Sequence, residues 1–410
     1  MPEHFIPFHR ADLVRLASTD PRLPEDQRAA FVTACTLITN LFHYEFHQRL
    51  EHLKEAFAPL DPNSEARPIP GEVAASKDAS RTRLWAAFRE LLTRANFTEV
   101  SDEELQHALN AESVFDVKLH TKLDDFAELM IFARGRRRRQ EPVKRRLGFK
   151  TVQLDVDYFE RAVICLRFQE AAHFSATPKR KLPFTPGALT IKLFENVPVA
   201  DLEMVFPNSE VRMRAKDHAI LWVPAIIGGI GVVLKAGVGI AAIGLLVWSM
   251  MRSGGPDHKL GAAEWAAISA GALGLLAIDG FVFRQWGRFK NKKIAFMQAL
   301  SQSLYFKNLD NNAGVFHRLI DDAEEEEVKE AVLAWFFLLI CGPATMAQLD
   351  DCVEQWFERK LGAKLDFEVD DALAKVARLG LATCAGEQWI AIQPTAAVAV
   401  LGDRWRSLAG

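Results

Sequence analysis

The chain has 410 residues, of which 49% are hydrophobic and 25% charged, with a formal net charge of -3. That balance excludes a disordered polyelectrolyte and leaves room for two or three folded domains. The near-neutral total hides a basic middle and an acidic C-terminal region. The scattered cysteines Cys35, Cys165, Cys341, Cys352 and Cys384 have neither disulfide-framework nor metal-knuckle spacing and read as free thiols, mostly set in apolar runs.

The opening Met1 to Pro7 lacks a charged segment followed by an apolar one, so no cleaved leader is expected. Apolar residues at helical spacing, Phe31, Ala34, Leu37, Ile38, Leu41 and Phe42, predict a helix from about Leu23 to Pro59. His43, His47 and Glu51 share one face of it at the spacing of helical metal sites. The internal glutamate of HExxH is missing and the aromatic neighbours explain histidines at a core edge, so a metal is the lesser reading and no cofactor is expected. A second helix is predicted over Ser80 to Ala95. A capping box at Ser101 to Glu104 opens a third, running to about Asn110.

From Val114 the pattern turns to strands, at 117–120, 152–156, 162–168 and 189–194. Between two of them lies a cationic stretch, Arg134, Arg136, Arg137, Arg138, Arg139, Lys144, Arg145, Arg146 and Lys150, whose one neighbouring counter-charge in the sequence is Glu141. Anionic lipid head groups are its expected partner, each cation near such a surface contributing on the order of 1 kcal/mol.

From Ala219 to Met251 the one charge is Lys235, and from Ala262 to Phe283 the charges are Glu264 and Asp279. Runs of that length meet the requirement of about 20 apolar residues per span, and Arg252 to Lys259 breaks them, so a transmembrane hairpin is expected. Lys235 and Asp279 fall at similar depth and are expected to pair. Arginines and lysines concentrate before Ala219 and after Phe283, which predicts a multi-pass protein of the cytoplasmic (inner) membrane with both termini cytoplasmic.

Beyond the hairpin, an amphipathic helix over Lys290 to Phe306 is expected to end at a joint, Asn308 to Gly314. There Asn308, Asp310, Asn311, Asn312 and Gly314 favour turn conformations. Helices are predicted from Val315 to Ile340, Ala344 to Leu361 and Phe367 to Gly380, followed by a hairpin turning at Ala385-Gly386, a winged-helix order. From Asp321 onward 17 acidic side chains face 8 basic ones, so nucleic acid is disfavoured and a protein partner expected.

Phe5-Ile6-Pro7, the helix Leu41 to His47, Phe57 to Pro62, Lys192-Leu193-Phe194, Ala200 to Met204 and Leu304 to Val315 resemble an uncharacterised membrane-protein family of bacteria and plants that includes an animal mitochondrial transmembrane protein. The resemblance implies membrane association and supplies no activity, cofactor or catalytic residue.

The expected fold is an α+β membrane protein. It comprises an N-terminal helical region (1–110), an α+β domain with a basic hairpin (111–215), a transmembrane helical hairpin (216–286), an amphipathic helix with the Asn-rich joint (287–330) and a winged-helix-like domain (331–410). The expected role is a non-catalytic membrane-anchored scaffold or regulator, with lipid contacts through Arg136 to Arg139, Lys144, Arg145 and Arg146 and an acidic winged helix for a protein partner or second copy. The alternatives are an oligomeric channel or transporter component built on the hairpin, and a metal-dependent enzyme at His43 and His47.

Overall fold

The computed structural model describes residues 5–62, 77–110, 118–145, 150–174, 182, 184–212 and 307–409, with scattered positions between 244 and 298. The fold is α+β. It divides into two compact units, one formed by Met1–Val114, Lys122–Asn208 and Lys307–Gly410, the other by Phe115–Thr121 and Ser209–Phe306.

In the first unit, α1 (Arg10–Ser18) leads into the long α2 (Glu25–Phe57), followed by α3 (Lys77–Arg94), β1 (Thr98–Glu99) and α4 (Asp102–Asn110). Ser101 and Glu104 close the capping box of α4: the Ser101 hydroxyl accepts from the Glu104 amide at 3.2 Å, and the Glu104 carboxylate from the Ser101 amide at 3.2 Å. Strands β3 (Phe126–Arg145), β4 (Lys150–Phe168) and β5 (Leu189–Pro198) follow, with the single-turn α5 (Ala171–Phe174) before β5. In the second unit, the short strands β2 (Lys118–His120) and β6 (Glu210–Arg212) pair antiparallel.

The chain re-enters the first unit with β7 (Asn308–Asn311) and continues through α6 (Ala313–Cys341), α7 (Met346–Leu361), α8 (Val369–Leu379), the hairpin β8 (Ala382–Ala385) and β9 (Gln388–Ala391), and α9 (Pro394–Ala409). Its sheet is fully antiparallel, in the order β1-β3-β4-β5-β7. Strand alternation gives it two apolar faces. Phe132, Val163, Cys165, Ile191 and Leu193 join the helical core, while Ile164, Leu166, Phe168 and Phe194 are buried outside it.

The core is organised by α6. Every residue from Ala331 to Leu338 is buried, so this apolar run too short for a membrane is a central helix. Trp335 is fully buried, stacks on Phe31 of α2 with ring centroids 5.1 Å apart, and donates its indole N–H to the Ile392 carbonyl at 3.1 Å. Residues 313–341 form one unbroken helix across the position where the winged-helix-like domain was expected to begin. Helices α7 and α8 both stop on left-handed glycines, Gly362 and Gly380, and Thr345 and Gln348 form a capping box on α7.

The expected transmembrane hairpin is corrected by this structure. Among the described residues no helix is long and apolar enough to cross a membrane. That finding overturns the membrane part of the fold expectation and the multi-pass inner-membrane placement. A span requires an unbroken helix of about 20 apolar residues, and a count of apolar residues along a sequence does not test that continuity. Lys235, Asp279 and most of Ala219 to Trp286 lie outside the described residues, as does most of the amphipathic helix expected over Lys290 to Phe306.

Candidate functional site

The basic stretch, expected between strands, is itself strand. Arg134 to Lys144 run along β3, and β3 with β4 outreaches the rest of the sheet. The contribution of β1 ends at Ala133, and that of β5 ends where Pro198 meets Tyr158. From Arg138↔Asp157 to Arg145↔Lys150 the two strands pair with each other and, among the described residues, with no third strand. Those eight pairs make an arm of roughly 25 Å at 3.3 Å per residue. A two-stranded ribbon is marginally stable by itself, so its order depends on side-chain contacts across it.

Those contacts correct the expectation of a nearly unopposed cationic run. Asp157 on β4 faces two guanidiniums, Arg138 at 2.8 Å and Arg136 at 3.4 Å, and Arg137 pairs with Glu160. The Arg138 hydrogen bond leads the effects that hold the Asp157 carboxyl below its ordinary range. Arg139 lies over the Tyr158 ring, 5.5 Å from its centroid. Three exposed arginines thus meet two carboxylates and the fourth a ring, and their alternation along the strand puts Arg136 and Arg138 on one face and Arg137 and Arg139 on the other. Arg146 lies outside the described residues, and Lys144 and Arg145 are placed by backbone register alone.

Gly135 marks the base of the arm. Its φ of +69° belongs to the left-handed region, and a β-carbon there would lie 2.6 Å from the Glu160 carboxylate. Arg134, one residue earlier, is a structural cation. It is half-buried, pairs with Asp322 of α6 at 2.9 Å, donates to the Ala95 carbonyl at 2.9 Å and packs against the rings of Phe5 and Phe97. A cleft of about 680 Å³ opens here, lined by Phe5, Asn96, Thr98, Arg136 and Phe159 among others.

A second charged constellation was not foreseen. Four successive glutamates, Glu324 to Glu327, turn about 100° per residue and cover the circumference of α6, so they meet different neighbours. Glu324 accepts from or pairs with His43 Nδ1 at 2.9 Å and lies 3.8 Å from Arg10. Glu325 accepts from the Arg10 amide and Glu326 from the Ile6 amide, while Lys329 donates to the Ile6 carbonyl at 2.9 Å and to Glu326 at 2.5 Å. The segment around Ile6 is thereby pinned to the core helix by charge-assisted bonds.

On the opposite side Lys375 of α8 gathers Glu330, Glu327 at 3.4 Å and Asp371 at 2.6 Å, and Arg94 of α3 approaches Glu327 at 3.5 Å. Burial pushes the Glu330 carboxyl up to about 7, against the pull of Lys375, and also raises Glu326 and Glu327. Burial works against the Lys375 ammonium, but its three carboxylates outweigh that and hold it charged. These groups line a cleft of about 490 Å³ with Glu90, Thr93 and Arg378.

Other expected site residues separate. His43 is engaged with Glu324, while Glu51 pairs with Lys54 at 2.8 Å on its own helix. Among the described residues no group of three His, Cys, Asp or Glu side chains is placed to hold a metal ion. The Asn-rich joint is a strand followed by a helix start: Asn308, Asp310 and Asn311 pair with Phe194, Leu193 and Lys192 of β5. Asn312, at φ 49°, donates its amide to the Ile191 carbonyl at 2.7 Å and accepts the Ile191 amide on its side-chain oxygen at 3.0 Å. A β-carbon on Gly314 would overlap the Asp310 carboxylate, which explains the glycine. Residues 159–314 match the family model described as Protein of unknown function (DUF3754). The match runs from the sheet end of β4 to this joint, and leaves the arginines of β3 and the buried carboxylates of α6 outside it. The chain is thus similar to an uncharacterised family, in line with the sequence resemblance. No solved structure matches it.

The joint supplies a direct test of its own geometry. Asn312→Ala is expected to cost about 1–3 kcal/mol in denaturant unfolding, because it orphans the Ile191 amide and strains the positive φ. Asn312→Gly should cost less, since it relieves the strain, and an unchanged midpoint for Asn312→Ala would refute the role of the side chain.

Proposed function

We propose that this chain is a non-catalytic binding protein whose basic β-ribbon engages the anionic head groups of a phospholipid surface. The observation that supports this reading is the cationic surplus on a free-standing arm. Among the described residues Arg136, Arg137 and Arg138 share two carboxylates, Asp157 and Glu160, Arg139 lies over the Tyr158 ring, and the sequence adds Lys144, Arg145, Arg146 and Lys150 toward the tip. Contact of this kind is peripheral and electrostatic, and it needs no spanning helix. The resemblance to a family with membrane-associated members fits the same partner class.

The C-terminal elements suit a different surface. Lys375 and Arg378, the cations of α8, are committed to carboxylates of the core and to Glu45. Around α7, Asp351, Glu354, Glu358 and Asp366 gather with Lys364. Burial, then Glu354, Asp366 and Asp351, push the Asp350 carboxyl up to about 6. Such a face repels phosphate and favours a basic protein surface.

Vesicle co-sedimentation of the full chain tests the lipid reading. Binding is expected with phosphatidylserine in phosphatidylcholine vesicles, absent with phosphatidylcholine alone, and weakened by salt. Replacing Arg136 to Arg139 together by serine is expected to weaken it by roughly two orders of magnitude, at about 1 kcal/mol per cation less the share already neutralised within the ribbon. Equal binding to neutral vesicles, or no loss in the variant, would overturn the proposal. Preferential binding to duplex nucleic acid would replace lipid with that partner.

A further inference from the structure

The cysteines fall into two kinds once placed. Cys35 and Cys165 are buried, and burial pushes both thiols up, far from reactive conditions. Cys384 is exposed on β8, with its sulfur 3.3 Å from the Gly386 carbonyl. Cys341 and Cys352 instead touch each other. Cys341 is the last residue of α6 and exposed, Cys352 lies in the second turn of α7 and is partly exposed, and their sulfurs are 3.3 Å apart.

We propose that Cys341 and Cys352 are a dithiol modification site that closes into a reversible intrachain disulfide. A disulfide bond is about 2.05 Å long, so the sulfurs approach by roughly a further 1.3 Å, within reach of small side-chain rotations. The site joins the end of α6 to α7 across Gly342 to Thr345. That turn also carries the hairpin, since Ala344 and Trp389 exchange two backbone hydrogen bonds. The closed form therefore staples the turn on which β9 hangs.

The oxidant is a low-molecular-weight disulfide of the oxidised-glutathione class. One protein thiolate attacks a sulfur of that disulfide, whose S–S bond breaks and releases one small thiol after protonation. The second protein thiol gives up its proton and attacks the protein-side sulfur of the mixed disulfide, releasing the second small thiol. Two electrons pass from the two cysteines to the oxidant, and two protons go with them. Burial and Cys352 push the Cys341 thiol up to about 11, partly offset by Arg22, so exchange is faster at alkaline pH.

The test treats the reduced full chain with oxidised glutathione at mildly alkaline pH, alkylates remaining thiols under denaturing conditions and maps the tryptic peptides. No lysine or arginine lies between Lys329 and Arg359, so both cysteines fall on one peptide. The expected product is that peptide unalkylated and lighter by two hydrogens, converted by dithiothreitol to the doubly alkylated form. Cys341→Ser and Cys352→Ser should each leave one glutathione adduct on the remaining cysteine. If the wild-type peptide, from protein whose circular dichroism is native, carries two alkyl groups or two glutathione adducts, the proposal is overturned.

Discussion

Lys375→Met is expected to destabilise the chain by about 3–5 kcal/mol at pH 8, the cost of leaving a buried ion pair without one partner. Methionine keeps most of the stem volume, so the loss reports charge rather than packing. Lys375 is the cation shared by Glu330, Glu327 and Asp371. Without it Arg94, at 3.5 Å from Glu327, is the remaining counter-charge, and Glu330 sits buried with none as close. The loss should shrink toward pH 5, where Glu330 takes up a proton. Adding Glu330→Gln to Lys375→Met should recover part of it, because the stranded charge is then gone. Urea unfolding of the three proteins at both pH values measures this. A loss below 1 kcal/mol at pH 8 would show that water reaches the cluster and that the ion pairs are replaceable.

Much of the helical scaffold was legible because it follows simple periodicity. The stripe from Phe31 to Phe42, the capping box at Ser101 and the run from Ala331 to Ile340 each map onto α2, α4 or α6. What escaped had side chains that contradict backbone preference. Asn308 to Asn311 carry residues depleted in strands, yet they pair at the sheet edge, where β5 supplies the backbone partners. The arginines of β3 broke the apolar alternation and were placed between strands as a basic hairpin, although cross-strand Asp157 and Glu160 make such a strand tolerable. Helix α9 went unread, and Pro394 at its first position was the available sign.

The candidate site was half visible for the same reason. Sequence charge located the arginines but not their carboxylates, which lie about 20 residues away across the ribbon. The four glutamates entered only as part of an acidic surplus, although Glu324, Glu326 and Glu327 are buried, as carboxylates rarely are. A useful sign was available: successive glutamates separated by only Val328, Lys329 and Glu330 from a ten-residue apolar run cannot all face water on a helix whose every side turns toward other elements. The apolar stretch between Ala219 and Trp286 was read as a span from hydropathy, whereas no described helix is long and apolar enough to cross a membrane.

The buried glutamates also set an unusual pH dependence. Glu330 has a folded-state value of about 7 against an ordinary 4.5, so it contributes stability that is fully present below about pH 4.5 and lost as pH rises through 7. Glu326, Glu327 and Asp350 are raised as well and act in the same sense. Groups held below their ordinary range act at lower pH: Asp20 through its Arg22 hydrogen bond, and Glu45, where Arg378 and its neighbours outweigh burial. Their contributions disappear as pH falls below about 4.5, outside the window. The unfolding free energy is therefore expected to decline between pH 5 and pH 7.5, with Glu330 accounting for on the order of 3 kcal/mol. Glu330→Gln should remove that share of the slope while leaving the smaller part due to the other raised carboxyls. Denaturant unfolding of both proteins at half-unit pH intervals decides it: stability that rises with pH across this window, or an unchanged slope in Glu330→Gln, would show that Glu330 is already ionised in the folded protein and that Lys375 rather than burial governs it.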